Sequence, residues 1–164
     1  MQENRNFIRM LKNVNLVYLG SRCLLLIDIS YLSRFWTQFE AWLSLRTPTQ
    51  DGLLDNPNIL ERCDMICLHN ATENTKQQLL DMWATCSPER AFEILRRPDV
   101  TVTSMNDKKV QLRKITKLDA DVRAVFAGTR AQQMASASPP ATAASPAAAF
   151  AAVFAAAPTP ELDA

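Results

Sequence analysis

Glycine is scarce in this chain. Its three glycines, Gly20, Gly52 and Gly128, each stand alone among 164 residues, whereas loops that hold phosphate groups need closely spaced glycines. Such ATP-binding and dinucleotide-binding loops are therefore excluded. No apolar run approaches the roughly 20 residues that cross a bilayer, and the first residues lack the form of a signal peptide. We predict a cytoplasmic protein without a membrane partner.

An excess of one charge is also missing. Lysine and arginine together number 18, and aspartate and glutamate number 17, so no overall field attracts nucleic acid or an anionic membrane. The second half carries basic pairs at Arg96-Arg97 and Lys108-Lys109, with acidic residues interleaved. We expect a solvated surface there and no nucleic-acid partner.

Histidine occurs once and cysteine four times. The cysteines lie in or beside apolar runs, as reduced core thiols of an intracellular protein do. Cys63, Cys67 and His69 are residue types that bind zinc, but on a strand the two thiols would be roughly 13 Å apart, which is too far to share one ion. A Cys–His nucleophile pair lacks an activating neighbour. We predict no metal site and no nucleophilic cysteine.

Hydrophobic periodicity predicts alternating helices and strands in the first half of the chain. Apolar residues recur at helical spacing from Glu3 to Leu19 and from Tyr31 to Arg46. Between and after these helices, the largely apolar stretches Cys23 to Ile29 and Cys63 to Leu68 are typical of strands buried on both faces. A strand, a helix and a strand in this order predict a βαβ unit with a parallel sheet.

The second half is predicted from turn and capping signals. Asn70 and Glu73 resemble a capping box that opens a helix, and Ser87-Pro88 opens another. We predict that the second helix of the chain ends at Thr47-Pro48 and that a loop follows, from Asp51-Gly52 to Asn56-Pro57. The later elements are predicted to be two strands, Val100 to Thr103 and Val110 to Ile115, and a last short helix, Leu118 to Phe126.

Beyond Gly128 the sequence is dominated by alanine, serine, threonine and proline. Such a composition buries too little apolar area to offset the entropy of ordering the chain. We therefore divide the chain into a folded domain, residues 1–128, and a disordered tail, residues 129–164.

The stretch from Asp28 to Leu43 resembles the strand-to-helix segment of TIR (Toll/interleukin receptor) domains and their heterokaryon-incompatibility relatives. In those families a buried strand leads into a Ser/Tyr turn, then a Trp-Cys pair, then a glutamate. Ser30, Tyr31, Ser33, Trp36 and Glu40 match this pattern, and Thr37 stands where the family usually has cysteine.

The resemblance implies a flavodoxin-like parallel sheet flanked by helices. Complete domains of this family have two further strands, a helix and a loop before the matching segment, so we expect a domain that is incomplete at its N-terminus. In TIR enzymes that cleave NAD, the matching glutamate is catalytic, which assigns this role to Glu40. Ser30, Tyr31, Ser33 and Trp36 would then line the substrate pocket, with NAD as substrate and no cofactor.

Three functional hypotheses follow. The first is a TIR-like signalling module that acts through protein partners or self-association. The second is an NAD glycohydrolase in which the Glu40 carboxylate stabilises an oxocarbenium-like ribose. The third is an α/β module of another family without catalytic activity. Agreement of fold alone does not decide among them, because one fold hosts many functions.

Overall fold

The computed structural model describes residues 5–7, 10 and 16–135 of the chain. Helices and strands alternate along it, and together they form a mixed α/β structure. In chain order the elements are α1 (Val17–Gly20), β1 (Cys23–Ile27), a 3-10 helix (Tyr31–Ser33), α2 (Phe35–Ser44), β2 (Arg46–Thr49), β3 (Gly52–Asp55), α3 (Ile59–Arg62), β4 (Cys63–Cys67), α4 (Glu73–Trp83), α5 (Pro88–Leu95) and α6 (Met105–Ala135).

Two predicted segments reach beyond these residues. Of the helix predicted from Glu3 to Leu19, residues 5–7, 10 and 17–19 are described and are helical. Of the predicted tail, residues 129–135 belong to α6, which continues through Gly128 to Ala135. Residues 136–164 lie outside the described part of the chain.

Strands β1 and β4 form a parallel pair, in register from Cys23 opposite Cys63 to Ile27 opposite Cys67. The predicted βαβ order is confirmed, with α2 in the connection between the two strands. The prediction that Cys23 to Ile29 is buried on both faces is wrong. Alternate residues of β1 are buried and exposed, because the described helices cover only one face of the sheet.

Strands β2 and β3 form an antiparallel hairpin where the sequence predicted a helix end and a loop. Thr47 and Pro48 lie in β2 and not at a helix end, because α2 already stops at Ser44. Gly52 begins β3 with a φ of +106°, and a Cβ there would lie 2.2 Å from an Asp119 carboxylate oxygen. That carboxylate accepts the Leu53 N–H at 2.8 Å, so a glycine is required where the hairpin meets α6.

The helix starts were predicted partly correctly. Ser87 caps α5 by accepting the Arg90 N–H at 3.3 Å, and Pro88 occupies the first turn, as predicted. The predicted box of Asn70 and Glu73 is wrong. Thr72 is the N-cap of α4, and the Thr75 hydroxyl accepts the Thr72 N–H at 3.3 Å, which completes a different box two residues later.

The two strands predicted after Val100 are wrong, because Met105 to Ala135 form the single helix α6. The helix predicted from Leu118 to Phe126 is confirmed as helical, but it is part of this longer helix. Within the predicted strand region, Thr101 makes only an isolated bridge to Arg34. The deciding signal is the spacing of three and four residues between side chains that α6 buries, which is the helical period. These side chains are Lys108, Gln111, Ile115, Leu118 and Val122.

One core lies on the covered face of the β1–β4 sheet. It contains the inward residues of β1 together with side chains from α2, α4, α5 and α6. Trp42 and Trp83 are its largest apolar members, and both are fully buried. The rings of Trp42 and Phe39 are stacked, with centroids 6.3 Å apart. The functional candidates on α2 are therefore carried by a helix whose aromatic side chains Phe35, Phe39 and Trp42 are packed in the core.

Candidate functional site

Glu40 lies on α2 at the edge of the core, where it is half-buried. Its neighbours follow from the packing of α1 against α2, which buries Leu19 and places the preceding residue, Tyr18, beside the carboxylate. The Tyr18 hydroxyl donates a hydrogen bond to Glu40. Tyr31, which is buried at the start of the 3-10 helix, lies close enough to feel the same charge. Glu40 is thus the centre of a small carboxylate–tyrosine cluster.

The ionisation of this cluster is shifted by its burial. Desolvation raises the pKa of Glu40, and the hydrogen bond from Tyr18 offsets part of that rise. Desolvation, together with the Glu40 charge and hydrogen bond, raises the pKa of Tyr18 to about 12. Desolvation, followed by the charge of Glu40, also raises the pKa of Tyr31. Both tyrosines remain protonated at neutral pH, so Tyr18 stays a donor to the carboxylate.

Ser30 and Ser33 belong to a separate polar cluster at the carboxyl end of β1. The Ser30 hydroxyl donates to Asp28 at 2.9 Å, and the Ser33 hydroxyl donates to the Ser30 carbonyl at 2.9 Å. Arg34 donates to both carboxylate oxygens of Asp28 at 2.9 Å. The Ser30 hydroxyl and then Arg34 hold the pKa of Asp28 below its usual range. The Ser30 hydroxyl therefore contacts Asp28, the Ser33 hydroxyl stabilises the turn, and neither is hydrogen-bonded to Glu40.

Trp36 lies one helical turn before Glu40 and shares its side of α2. It is half-buried and meets Phe35 edge-on, with ring centroids 5.5 Å apart. The Thr37 hydroxyl, at the position where TIR-like families have cysteine, donates to the Tyr31 carbonyl at 2.8 Å. Of the five residues predicted for the site, Trp36 and Glu40 lie one turn apart on α2, and Tyr31 lies in the 3-10 helix that precedes it. Ser30 and Ser33 belong to the turn beside Asp28.

The cysteine and histidine residues do not form a reactive group in the described structure. Burial raises the pKa of the Cys63 thiol to about 11 and that of the Cys86 thiol to about 11, so both are protonated at neutral pH. His69 is exposed, with a φ of +52°, in the turn after β4. Within residues 5–7, 10 and 16–135, no three His, Cys, Asp or Glu side chains are arranged to hold a metal ion.

An uncovered apolar surface, which the sequence did not predict, lies on the other face of the β1–β4 sheet. In-register partners point to the same side, so Leu24 lies beside Asp64, and Leu26 beside Ile66. Leu24 is 57%, Leu26 48% and Ile66 49% exposed. We call Leu24, Leu26 and Ile66 the open face. An ion pair at 3.1 Å between Arg22 and Asp64 lies at its margin.

The alternation of side chains along the strands shows which residues share a face. It does not show whether helices cover one face or both, so the sequence alone did not reveal this surface. In a parallel sheet both faces are ordinarily covered, and an all-apolar strand is the usual sign of that burial. Here the apolar pattern is present, and within the described residues the second cover is not.

Comparison of the chain with protein family models, with curated proteins and with solved structures found no match. Among the described helices, none combines the length and apolar character needed to span a membrane. The site must therefore be interpreted from its own geometry.

Proposed function

We propose that this chain is a protein-association module that self-associates through the open face. The observation that carries the proposal is that one face of a parallel sheet, made of Leu24, Leu26 and Ile66, is about half exposed to solvent. Contiguous exposed apolar surface is a feature of protein interaction sites. In the flavodoxin-like fold that the TIR-like resemblance implies, both faces of the sheet are covered. A partner on the open face would supply the second cover.

The size of the patch limits what it can do alone. Completing the burial of a half-exposed Leu or Ile contributes about 1 kcal/mol, so the three open-face residues contribute about 3 kcal/mol. Association costs roughly 4–15 kcal/mol in lost translational and rotational freedom. The partner surface must therefore bring apolar area of its own.

Light scattering over a concentration series tests this function. We expect the parent chain to show a mass that rises with concentration, and Leu26→Lys to lower that mass to the monomer value. Leu54→Lys is the matched control, because Leu54 is also a strand leucine that is 48% exposed, but it lies on the β2–β3 hairpin. A parent chain that stays monomeric, or a Leu26→Lys variant that associates like the parent, would refute the proposal.

A second candidate function, NAD cleavage by Glu40, is favoured by one observation. Burial raises the pKa of this carboxyl, and perturbed carboxyls occur frequently at catalytic sites. The alternative is a structural role, in which the half-buried Glu40 carboxyl is the hydrogen-bond partner of Tyr18. Nicotinamide release from NAD by the parent, abolished in Glu40→Gln and retained in the exposed control Glu61→Gln, would support catalysis. Absence of release from the parent would exclude it.

A further inference from the structure

Two of the cysteines lie directly opposite each other in the β1–β4 sheet. Cys23 and Cys63 are Cα partners at the first residues of the two parallel strands, and both thiols are free. Both belong to the core on the covered face, where Cys23 is 7% and Cys63 1% exposed. Partners in register point to the same side of a sheet, so the two thiol side chains are immediate neighbours.

The spacing of this pair suits a disulfide. Neighbouring strands lie about 4.8 Å apart, and the Cα atoms of bonded cysteines are usually about 4.4–6.8 Å apart. The Cβ atoms of a disulfide are about 3.8 Å apart, so the strands must approach each other by about 1 Å at this end. A bond that holds such strain is readily reduced again. Cys67 lies opposite Ile27 at the far end of the strands, about 13 Å along the strand from Cys63, and is out of reach.

The thiol pair lies between the Arg62 guanidinium and the carboxylate–tyrosine cluster. Burial lowers the pKa of Arg62, and the charges of Cys63 and then Cys23 oppose that fall. Burial is the main cause of the raised pKa values of Tyr18 and Tyr31, and the charge of Cys23 adds to both. Cys23 is therefore close to the candidate site as well as to Cys63.

Arg62 connects this end of the sheet to α1. Its guanidinium donates to the Ser21 carbonyl at 3.3 Å and also to the Tyr18 carbonyl. The Ser21 carbonyl is the acceptor of the Cys23 thiol as well, at 3.6 Å. When that S–H donor is lost, the carbonyl keeps Arg62 as a partner. A bond between the two thiols therefore forms where α1 joins β1.

We propose that Cys23 and Cys63 are a reversible modification site, at which a peroxide joins the two thiols in a disulfide across the parallel strands. The cross-link fixes the end of the sheet that carries α1, and with it Tyr18, the hydrogen-bond donor to Glu40. The proposal does not depend on self-association, because the thiols lie on the covered face and the open face is on the other side of the strands.

Hydrogen peroxide is small enough to reach the Cys23 thiol, which is 7% exposed. Burial raises the pKa of the Cys63 thiol to about 11, so Cys63 is protonated and Cys23, the more exposed of the two, reacts first. The Cys23 sulfur attacks one peroxide oxygen, the O–O bond breaks, and the released hydroxide takes the thiol proton as water, which leaves a sulfenic acid.

The second step closes the disulfide. The Cys63 sulfur attacks the sulfur of the Cys23 sulfenic acid, the S–O bond breaks, and the hydroxyl group leaves with the Cys63 proton as a second water. The two thiols together lose two electrons, which reduce one peroxide to two waters. Because both thiols are buried, we expect the reaction to be slow and to need an excess of peroxide.

Peptide mapping of the full chain after treatment with hydrogen peroxide tests the pairing. We expect a monomeric product that is lighter by two hydrogen atoms, with Cys23–Cys63 as the dominant linkage, and we expect dithiothreitol to restore the parent mass. In concentrated urea the same treatment should give mixed linkages, because the fold no longer selects the pair. A different dominant linkage in the folded chain, or no disulfide at all, contradicts the proposal.

Cys63→Ala and Cys67→Ala are matched variants, because each replaces a cysteine of β4. We expect Cys67→Ala to form the disulfide at the parent rate. In Cys63→Ala, Cys23 should stop at the sulfenic acid, and its labelling by dimedone should exceed that of the parent by about tenfold. Equal labelling of Cys63→Ala and the parent would show that Cys63 does not close the bond. Circular dichroism checks the fold of both variants, and the mapping of the parent decides the pairing if Cys63→Ala is unfolded.

The cross-link should also change stability. It closes a loop of about 40 residues and so removes entropy from the unfolded chain. We expect the urea midpoint of the oxidised parent to lie about 1 M above that of the reduced parent, since strain offsets part of the gain. Cys63→Ala treated in the same way should show no rise. An oxidised parent that is no more stable than the reduced one would mean that the bond does not fix this end of the sheet.

Discussion

Trp42 and Trp83 allow a sharp test of how the core is stabilised. Both side chains are fully buried, so replacing either with phenylalanine removes the same atoms from a similar environment. Their indole N–H groups differ. The Trp42 Nε1 donates to the Cys86 carbonyl at 2.8 Å, whereas the Trp83 Nε1 has no hydrogen-bond partner among the described residues.

The packing loss is common to the two variants, so the hydrogen bond determines the difference between them. Trp42→Phe loses the bond and leaves the Cys86 carbonyl without this donor, a change that costs about 1–3 kcal/mol. Trp83→Phe instead removes an unpaired buried donor. We expect Trp42→Phe to lower the free energy of unfolding by about 2 kcal/mol more than Trp83→Phe.

Urea denaturation followed by far-ultraviolet circular dichroism measures this difference without relying on tryptophan emission. With a slope of about 2 kcal/mol per molar urea, the two midpoints should differ by about 1 M. If Trp83→Phe is as destabilising as Trp42→Phe, then the hydrogen bond to Cys86 does not contribute as argued, and packing alone sets the stability of this region.

Three further predictions concern buried polar groups. Because the folded-state pKa of Glu40 is raised, the parent should lose stability as pH rises from about pH 4 through that pKa; urea midpoints for Glu40→Gln should be flatter over this range, and equal slopes would contradict the prediction. The chain has two tyrosines, Tyr18 and Tyr31, and both have raised pKa values, so tyrosinate absorbance should show less than half ionisation at about pH 10; one tyrosine titrating normally would contradict it. Arg46 is 1% exposed and donates to the Asp55 carboxylate and to the carbonyls of Trp83 and Ala84. Arg46→Met should therefore cost about 3 kcal/mol of unfolding free energy through its two bonds to carbonyls. Asp55→Asn should cost less, since Asp55 is 55% exposed, and equal losses would count against this account.

Local patterns predicted the elements that have strong local causes. The periodicity of Phe35, Phe39 and Trp42 marked α2, and the apolar stretches marked β1 and β4. Ser87-Pro88 marked the start of α5, because a hydroxyl cap and a first-turn proline act within a few residues.

Elements that depend on distant contacts were mispredicted. The β2–β3 hairpin is held by Asp119 from α6, whose carboxylate accepts the Leu53 N–H. No residue near Leu53 in the sequence indicates that partner. The sequence predicts a strand from Val110 to Ile115, inside α6, because this short segment fits both periods. Burial of Lys108, whose ammonium donates to the Arg97 and Val100 carbonyls at 2.8 and 2.6 Å, favours the helix.

The candidate site shows the same division. Glu40, Trp36 and Tyr31 were named from the resemblance to TIR domains, which a short stretch of sequence carries; Trp36 and Glu40 lie on α2, and Tyr31 lies in the 3-10 helix before it. Tyr18, which changes the ionisation of Glu40, could not be, because only the packing of α1 on α2 brings it there.

By itself the sequence determined which residues are apolar, the strand–helix–strand order and the residues of α2, because these follow from local composition and spacing. Only the tertiary structure decided which face of each strand is covered. The alternation of side chains in β1 offers both faces for burial, and the described helices pack on one of them. The uncovered Leu24, Leu26 and Ile66 are therefore a property of helix placement, which no local pattern encodes.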